Sequence, residues 1–381
     1  MDGCFKKMDR SLLSSPFART VLAWRLWQAC LFQIMLAMTM TSHAQSRTMV
    51  YVSNAQSQTI SVAELDLNTG FLTPLQTLDV KGAVMPLAVM PDAQFLFAAL
   101  RSEPYAVASF AIDSQRGLLR HVGDFPLPDS MASIAVDRSG RVLFGASYGG
   151  HVVSVSRITP KGEVQVAHQT VPTPRHPHTL KASLDNRLAF ATSLGGDAVL
   201  QFKLDADKQV LTPNNPSELT LPKGSGPRHL AFHPNGAWIF VLDELDAHVH
   251  TLQIDQLGGT LQIIASVSSL PQTFQGTPSA ADIHITPDGR FLITSDRGSN
   301  TLASFRVDAA NGRLSTVGHW PSEDQPRGFN IDPSGQYVIE VGQRSGMLRV
   351  HALLPDGQIS PRGRWPVGSG PNWVEMVQLR P

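Results

Sequence analysis

Gly226-Pro227-Arg228-His229-Leu230-Ala231-Phe232-His233-Pro234-Asn235-Gly236, continuing through Trp238-Ile239-Phe240-Val241-Leu242-Asp243-Glu244, sets two apolar, β-prone runs on either side of a Pro-Asn-Gly turn. Such a turn between such runs is a strong hairpin signal. The first run begins at Arg228 and the second ends at Glu244, so the hairpin returns both residues to one end, away from the turn. A cation and a carboxylate are therefore expected side by side at the open rim.

The pattern repeats. With Pro234 as the marker, Pro91, Arg138, Leu184, Pro287 and Pro333 take the same place, in turns reading MPDAQFLF, DRSGRVLF, SLDNRLAF, TPDGRFLI and DPSGQYVI. Successive markers lie about 46 to 53 residues apart, the length of one four-stranded blade. Solenoid repeats of that length are usually helical, and these segments lack helical periodicity. The fold expected is all-β, a seven-bladed β-propeller. TMVYVSNAQSQTISV at 48–62 reads as the second and third strands of a blade without an innermost strand. VGSGPNW at 367–373 resembles the repeat opening GSGPRHLAF at 224–232. N-terminal strands completing the C-terminal blade would leave no open sheet edge. No low-complexity linker or charge run divides residues 45–381, so they read as one propeller domain.

The chain has 381 residues and no formal net charge, which removes the simplest basis for nucleic-acid binding. With 42% hydrophobic and 16% charged residues it has the makings of a substantial core. Residues 1–44 stand apart: Lys6, Lys7, Arg10, Arg19 and Arg25 precede a mostly apolar run, 26–40, and Ser42-His43-Ala44 offers small residues where a signal peptidase reads. This is the pattern of a secretory signal peptide cleaved after Ala44. Gln28 and Gln33 break the run, and it is too short for a stable membrane span. A periplasmic or secreted protein follows. The alternative is a start near Met49 and a cytoplasmic protein. Cys4 and Cys30 both fall in this leader, so the mature chain has no disulfide framework, thiol nucleophile or cysteine metal site.

The repeat register allows equivalent positions to be compared. Six residues before each marker stand Met85, Ala132, His178, Arg228, Ala281 and Arg327; ten after each stand Arg101, Tyr148, Leu194, Glu244, Arg297 and Gln343. Hairpin geometry assigns all twelve to one rim near the central channel, where binding groups collect on rigid β scaffolds. Four arginines converging there, with Glu244 balancing only one, imply an anionic ligand, carboxylate or phosphate. His178 is the candidate proton carrier. Glu244 orients it, acts with it or holds an arginine. Asp282 is left open between a ligand-facing acid and a loop cap. His229, His233 and His284 lie on apolar strands and read as satisfied core histidines. His176 and His178, two apart on a strand, share a face. The acidic pattern of metal-dependent propeller lactonases is missing, so neither a metal nor another cofactor is expected.

GPRHLAFHPNG with DEL, AADIHITPDGRFL with SDRG, QPRGFNIDPSGQY with VGQ, and VGSGPNW together resemble the propeller-type 6-phosphogluconolactonase family, whose superfamily includes the fungal carboxy-muconate lactonizing enzyme. The resemblance spans about residues 49–377. It implies a carboxylic ester hydrolase that converts 6-phospho-glucono-1,5-lactone to 6-phosphogluconate in the pentose phosphate pathway. For the cyclase branch it implies a catalytic histidine, glutamate and two arginines, which fall at His178, Glu244, Arg228 and Arg297. Arg327, in QPRG, is the phosphate candidate, and Arg101, Tyr148, Asp282 and Gln343 join it as expected substrate-binding residues. Phosphorylated sugar lactones are cytoplasmic metabolites, so an exported protein would take an unphosphorylated or different acidic lactone. Two alternatives stand beside lactone hydrolysis: a muconate-type lactonizing enzyme or cycloisomerase, and a non-catalytic propeller binding a ligand or protein. A charged rim argues against the last. The expected partner is a small anionic lactone, for a monomer or small homo-oligomer.

Overall fold

The computed structural model describes residues 47–379; the leader expected at 1–44 lies outside them. Seven four-stranded antiparallel sheets account for nearly all the regular structure. In chain order, six blades are continuous: residues 84–126, 133–172, 177–220, 227–268, 280–321 and 326–366. The seventh is split. The strand Pro371–Leu379 pairs with Arg47–Asn54, which pairs in turn with Thr59–Leu65, and Leu72–Asp79 forms the outer edge. The first strands of successive blades touch around a ring that shuts where Pro371–Leu379 meets Val84–Val89. The N-terminal strands thus complete the blade that the C-terminus opens. Among the described residues no helix is long and apolar enough to cross a membrane.

The strand patterns explain the stacking. Second strands such as Val142–Ser147, Trp238–Asp243, Phe291–Asp296 and Tyr337–Gly342 are buried along their whole length. A strand covered on both faces reads as a continuous apolar run, as these do. The outermost strands, such as Leu119–Pro126, are exposed at half of their positions and half-buried at most of the others. Neighbouring blades share cores: Phe144, Val153 and Val155 pack with Leu180, Ala191 and Phe202.

The turn used as the repeat marker has one backbone requirement. Two residues past each marker the chain takes a positive φ, at Gly140, Gly236, Gly289 and Gly335, and likewise at Ala93 and Asn186. Glycine meets that conformation without a Cβ penalty, which is why the turns read SG, NG or DG. A polar side chain just before the marker ties the turn. Asp137 Oδ1 accepts from the amides of Arg141 and Val142, and Asp332 Oδ1 from those of Gln336 and Tyr337. His233 fills this place in its own blade, its Nδ1 accepting from Asn235 N and its Nε2 donating to Gly289 O.

Candidate active site

A β-bulge near the start of the first strand builds the site. In the third blade the pairing register jumps from Pro177 to Thr179, in the fourth from Pro227 to His229, and in the sixth from Pro326 to Gly328. The residues passed over are His178, Arg228 and Arg327. In the fifth blade Ala281 and Asp282 are passed over, and in the seventh Asn372. A bulge frees one residue from the ladder and re-aims its side chain. Repeated around the ring, it turns a set of side chains toward one mouth of the channel. The second strands of the same blades end there, and Glu244, Arg297 and Gln343 begin the loops that follow.

Arg228 and Glu244 are side by side, as the hairpin requires, with Nε 2.9 Å from Glu244 Oε2. Glu244 balances two arginines, where the sequence suggested one: its Oε1 lies 2.8 Å from Arg297 Nη2. The reason is reach between blades, since Arg297 begins the loop of the neighbouring blade and extends back across the seam. Arg297 is further held by the carbonyls of Ser279 and Ala280, and Arg228 Nη1 by that of Ala281. Burial alone would raise the Glu244 carboxyl, but Arg228 and Arg297 more than reverse this and keep it ionised. Arg228 is 1% exposed, and burial with the charge of Arg297 pulls it down to about 10.

Arg327 makes no ion pair or side-chain hydrogen bond among the described residues. Burial and then the charges of Arg228 and Arg297 pull it down to about 9. Arg101 sits on Ser130 Oγ, 2.9 Å from Nε, beside Met85 Sδ. Four guanidinium groups thus face one carboxylate, and the cup is strongly positive.

His178 is buried among these cations. Burial first, then Arg228, His229, Arg327 and Arg297, hold its imidazole well below the usual histidine range, so it is neutral. Its Nδ1 has no hydrogen-bond partner. Tyr148 meets His178 edge-on at 6.1 Å between ring centres and stacks on His176 at 4.1 Å. Gln343 lies on the same rim, its backbone amide bonded to Gln325 O.

Asp282 does not reach the rim. Its bulge carries it down the channel axis, where Oδ1 takes His229 Nδ1 at 2.8 Å and Oδ2 lies 3.3 Å from His284 Nε2 and 3.3 Å from the Phe329 amide. His229 is thus a buried histidine satisfied by Asp282, and His284, also paired with Asp282, is only partly buried; both face the axis on either side of that acid. His229 also stands 4.9 Å from the His178 ring, and its Nε2 lies 3.4 Å from Arg228 Nη1. With Nδ1–H given to Asp282, that Nε2 is an acceptor aimed at the Arg228 guanidinium. Asp282 thus acts through His229 on Arg228 and His178. Adjacency in Arg228-His229 was the sequence signal for this, because a bulge lets consecutive side chains share a side. Asn372, which bonds the carbonyls of Ser53 and Val84, was missed because its blade has no marker turn. No three His, Cys, Asp or Glu among the described residues are grouped to hold a metal ion.

The cup can grip an anion, polarise a carbonyl and accept a proton. A family profile described as "Lactonase, 7-bladed beta-propeller" matches residues 45–376. The 6-phosphogluconolactonase of Serratia proteamaculans is 40% identical over 332 residues, covering 87% of this chain and 99% of that protein. That of Yersinia pestis is 40% identical over 328 residues, covering 86% and 97%. A Pseudomonas aeruginosa structure described as a periplasmic gluconolactonase superposes with a TM-score of 0.81 at 26% identity, covering 88% of this chain and 100% of that one.

Proposed function

This chain belongs to the seven-bladed β-propeller lactonase family, and from that premise we propose that its arginine-lined cup hydrolyses an acidic sugar lactone, 6-phospho-glucono-1,5-lactone first among them. The chain is a lactone hydrolase, an enzyme of the carboxylic ester class. The lactonizing and binding-only alternatives find no support in these relatives.

One observation carries the choice of substrate. Glu244 is shared by Arg228 and Arg297, while Arg327 has no acid of its own. The unmatched charge suits a phosphate, whose oxygens fit the guanidinium fork. Arg327, with Arg101, holds that phosphate, while Arg228 and Arg297 face the lactone carbonyl. Water adds to the carbonyl carbon, and the oxyanion that forms is stabilised by guanidinium donors already fixed in place. The attacking water gives its proton to neutral His178. The C–O bond to the ring oxygen then breaks, and that oxygen takes the proton from His178, leaving a hydroxy acid that ionises. Anion binding neutralises the cations around His178, so the imidazole becomes a better base once substrate is present.

A second reading has its own support. The leader pattern at 1–44, with a relative described as periplasmic, favours export and an unphosphorylated or otherwise acidic lactone. Proton release measured on phosphogluconolactone, gluconolactone and muconolactone separates the two. Arg327→Ala should raise KM for the phosphorylated lactone about 10- to 100-fold and leave gluconolactone unaffected, since charge-assisted bonds are each worth about 1.5–3 kcal/mol. No acceleration on any lactone would overturn the hydrolase mechanism. Equal loss on both substrates would move the phosphate away from Arg327. N-terminal sequencing of the secreted fraction tests the leader.

A further inference from the structure

The channel axis holds a second polar chamber, at the mouth where the marker turns lie. A cavity of about 260 Å³ is lined there by Arg138, Lys181, His284, Asp282, Glu375 and Trp373 among others. Lys181 is three residues beyond His178 on the same strand, about 10 Å further along the axis, and Arg138 is a marker residue at the opposite end of its blade from the cup.

Its polar groups fall into two classes. Asp282 is fully engaged, by His229, His284 and the amides of Ile283 and Phe329. Glu375 Oε1 accepts from Trp373 Nε1 at 3.0 Å. The two cations are not so engaged. Lys181 Nζ gives one hydrogen bond, to Leu230 O at 3.1 Å. The Arg138 guanidinium makes no ion pair or hydrogen bond among the described residues. A lysine and an arginine facing one small cavity with donors to spare is the arrangement that takes up an anion, since the acids beside them accept from other donors.

The charge of that anion follows from its neighbours. Burial pushes the Glu375 carboxyl up toward its neutral form, while Asp282 stays ionised between its histidines. Asp282 and Glu375 line the same cavity as Arg138 and Lys181, so a phosphate dianion would meet two acidic side chains. A monocarboxylate brings less negative charge against them, and the guanidinium fork suits that group's geometry. The cavity has room for a small organic acid but not for a drug-sized ligand.

We propose that this chamber is a binding site, separate from the catalytic cup, for a small monocarboxylate held between Arg138 and Lys181. Its carboxylate sits against the two cations, and Glu375 and His284 meet its hydroxyl groups. The site needs no lactonase chemistry.

Calorimetric titration of the full chain with sodium lactate, and separately with inorganic phosphate, tests the assignment. One saturable lactate site is expected in the wild type and in Arg228→Ala, weakened at least tenfold in Arg138→Gln and in Lys181→Met. Lactonase kcat/KM in Arg138→Gln should stay within about twofold of wild type. Arg138 lies on a surface turn, so its variant decides the matter even if Lys181→Met does not fold. Lactate binding that survives both substitutions but disappears in Arg228→Ala would place the anion in the cup and overturn the proposal. So would the absence of saturation, which would leave Lys181 as a structural partner of the buried acids, and so would tighter phosphate than lactate binding that Arg138→Gln weakens.

Discussion

Replacing Glu244 by glutamine removes one negative charge and little volume from the centre of the cup. Two ion pairs go with it, at 2.9 Å to Arg228 and 2.8 Å to Arg297. At an effective dielectric near 20 each pair is worth about 4 kcal/mol before solvation, and the neutral amide recovers part of this because it no longer buries a charge. Removing one partner of a buried pair costs about 3–5 kcal/mol. The Glu244 side chain is 23% exposed, which points to the lower end, about 3 kcal/mol. For a propeller of this length that is a melting-temperature drop of about 4 °C. The same change frees two arginines that had been held at the carbonyl site. Turnover on the preferred lactone should fall about 100-fold, the effect of losing preorganised charge at an oxyanion. KM should stay level or decrease, because the cup becomes more positive. Added phosphate should recover most of the lost melting temperature by supplying the missing negative charge. Steady-state kinetics and a thermal melt with and without phosphate read all three effects. Wild-type turnover in Glu244→Gln, or a loss confined to KM, would refute the idea that Glu244 sets the two arginines.

Asp282→Asn should lower kcat about 10- to 100-fold with KM unchanged, because His229 would lose the bond that fixes its tautomer toward Arg228; an equal change in both constants would show a merely structural role. His178→Asn should lower kcat by a factor of about 100 to 10,000. The acid limb of the wild-type kcat/KM profile should lie below pH 6.5, since the free enzyme holds His178 neutral there; a limb above 6.5 would contradict its environment. Stability should decrease in acid. Burial, then Arg228, bring His229 down to about 3, and His178 is held well below its normal value, so both remain neutral in the fold while the unfolded chain protonates near 6.5. Their contribution is complete above that pH and is lost as pH falls toward 3. Urea melts at pH 7.5 and 5.0 should show His178→Asn losing about 2 kcal/mol less than wild type, and equal losses would argue against a neutral buried His178.

What the sequence made legible was whatever depends on short stretches of chain. The marker turn needs a positive φ at one fixed position, and Gly236, Gly289 and Gly335 announce it. The pairing of Arg228 with Glu244 follows from a single hairpin. Properties that depend on how blades meet were not legible. Arg297 crosses a seam to share Glu244, so the balance of charge in the cup was misjudged. Asp282 lies within a bulge and His229 follows one, and strict two-residue alternation fails at and beyond such a point. Asn372 belongs to the blade whose two halves are separated by almost the entire sequence, where no local repeat could mark it.

That divided blade also sets the order of events during synthesis. The innermost strand of the seventh blade, Pro371–Leu379, is synthesised after all six continuous blades, whereas its partner Arg47–Asn54 is synthesised before them. Until 371–379 is made, Arg47–Asn54 and the blade at 84–126 have no neighbour on one flank. The circle therefore stays open while the six continuous blades are made, and the nascent protein carries an unsealed gap until that strand is in place.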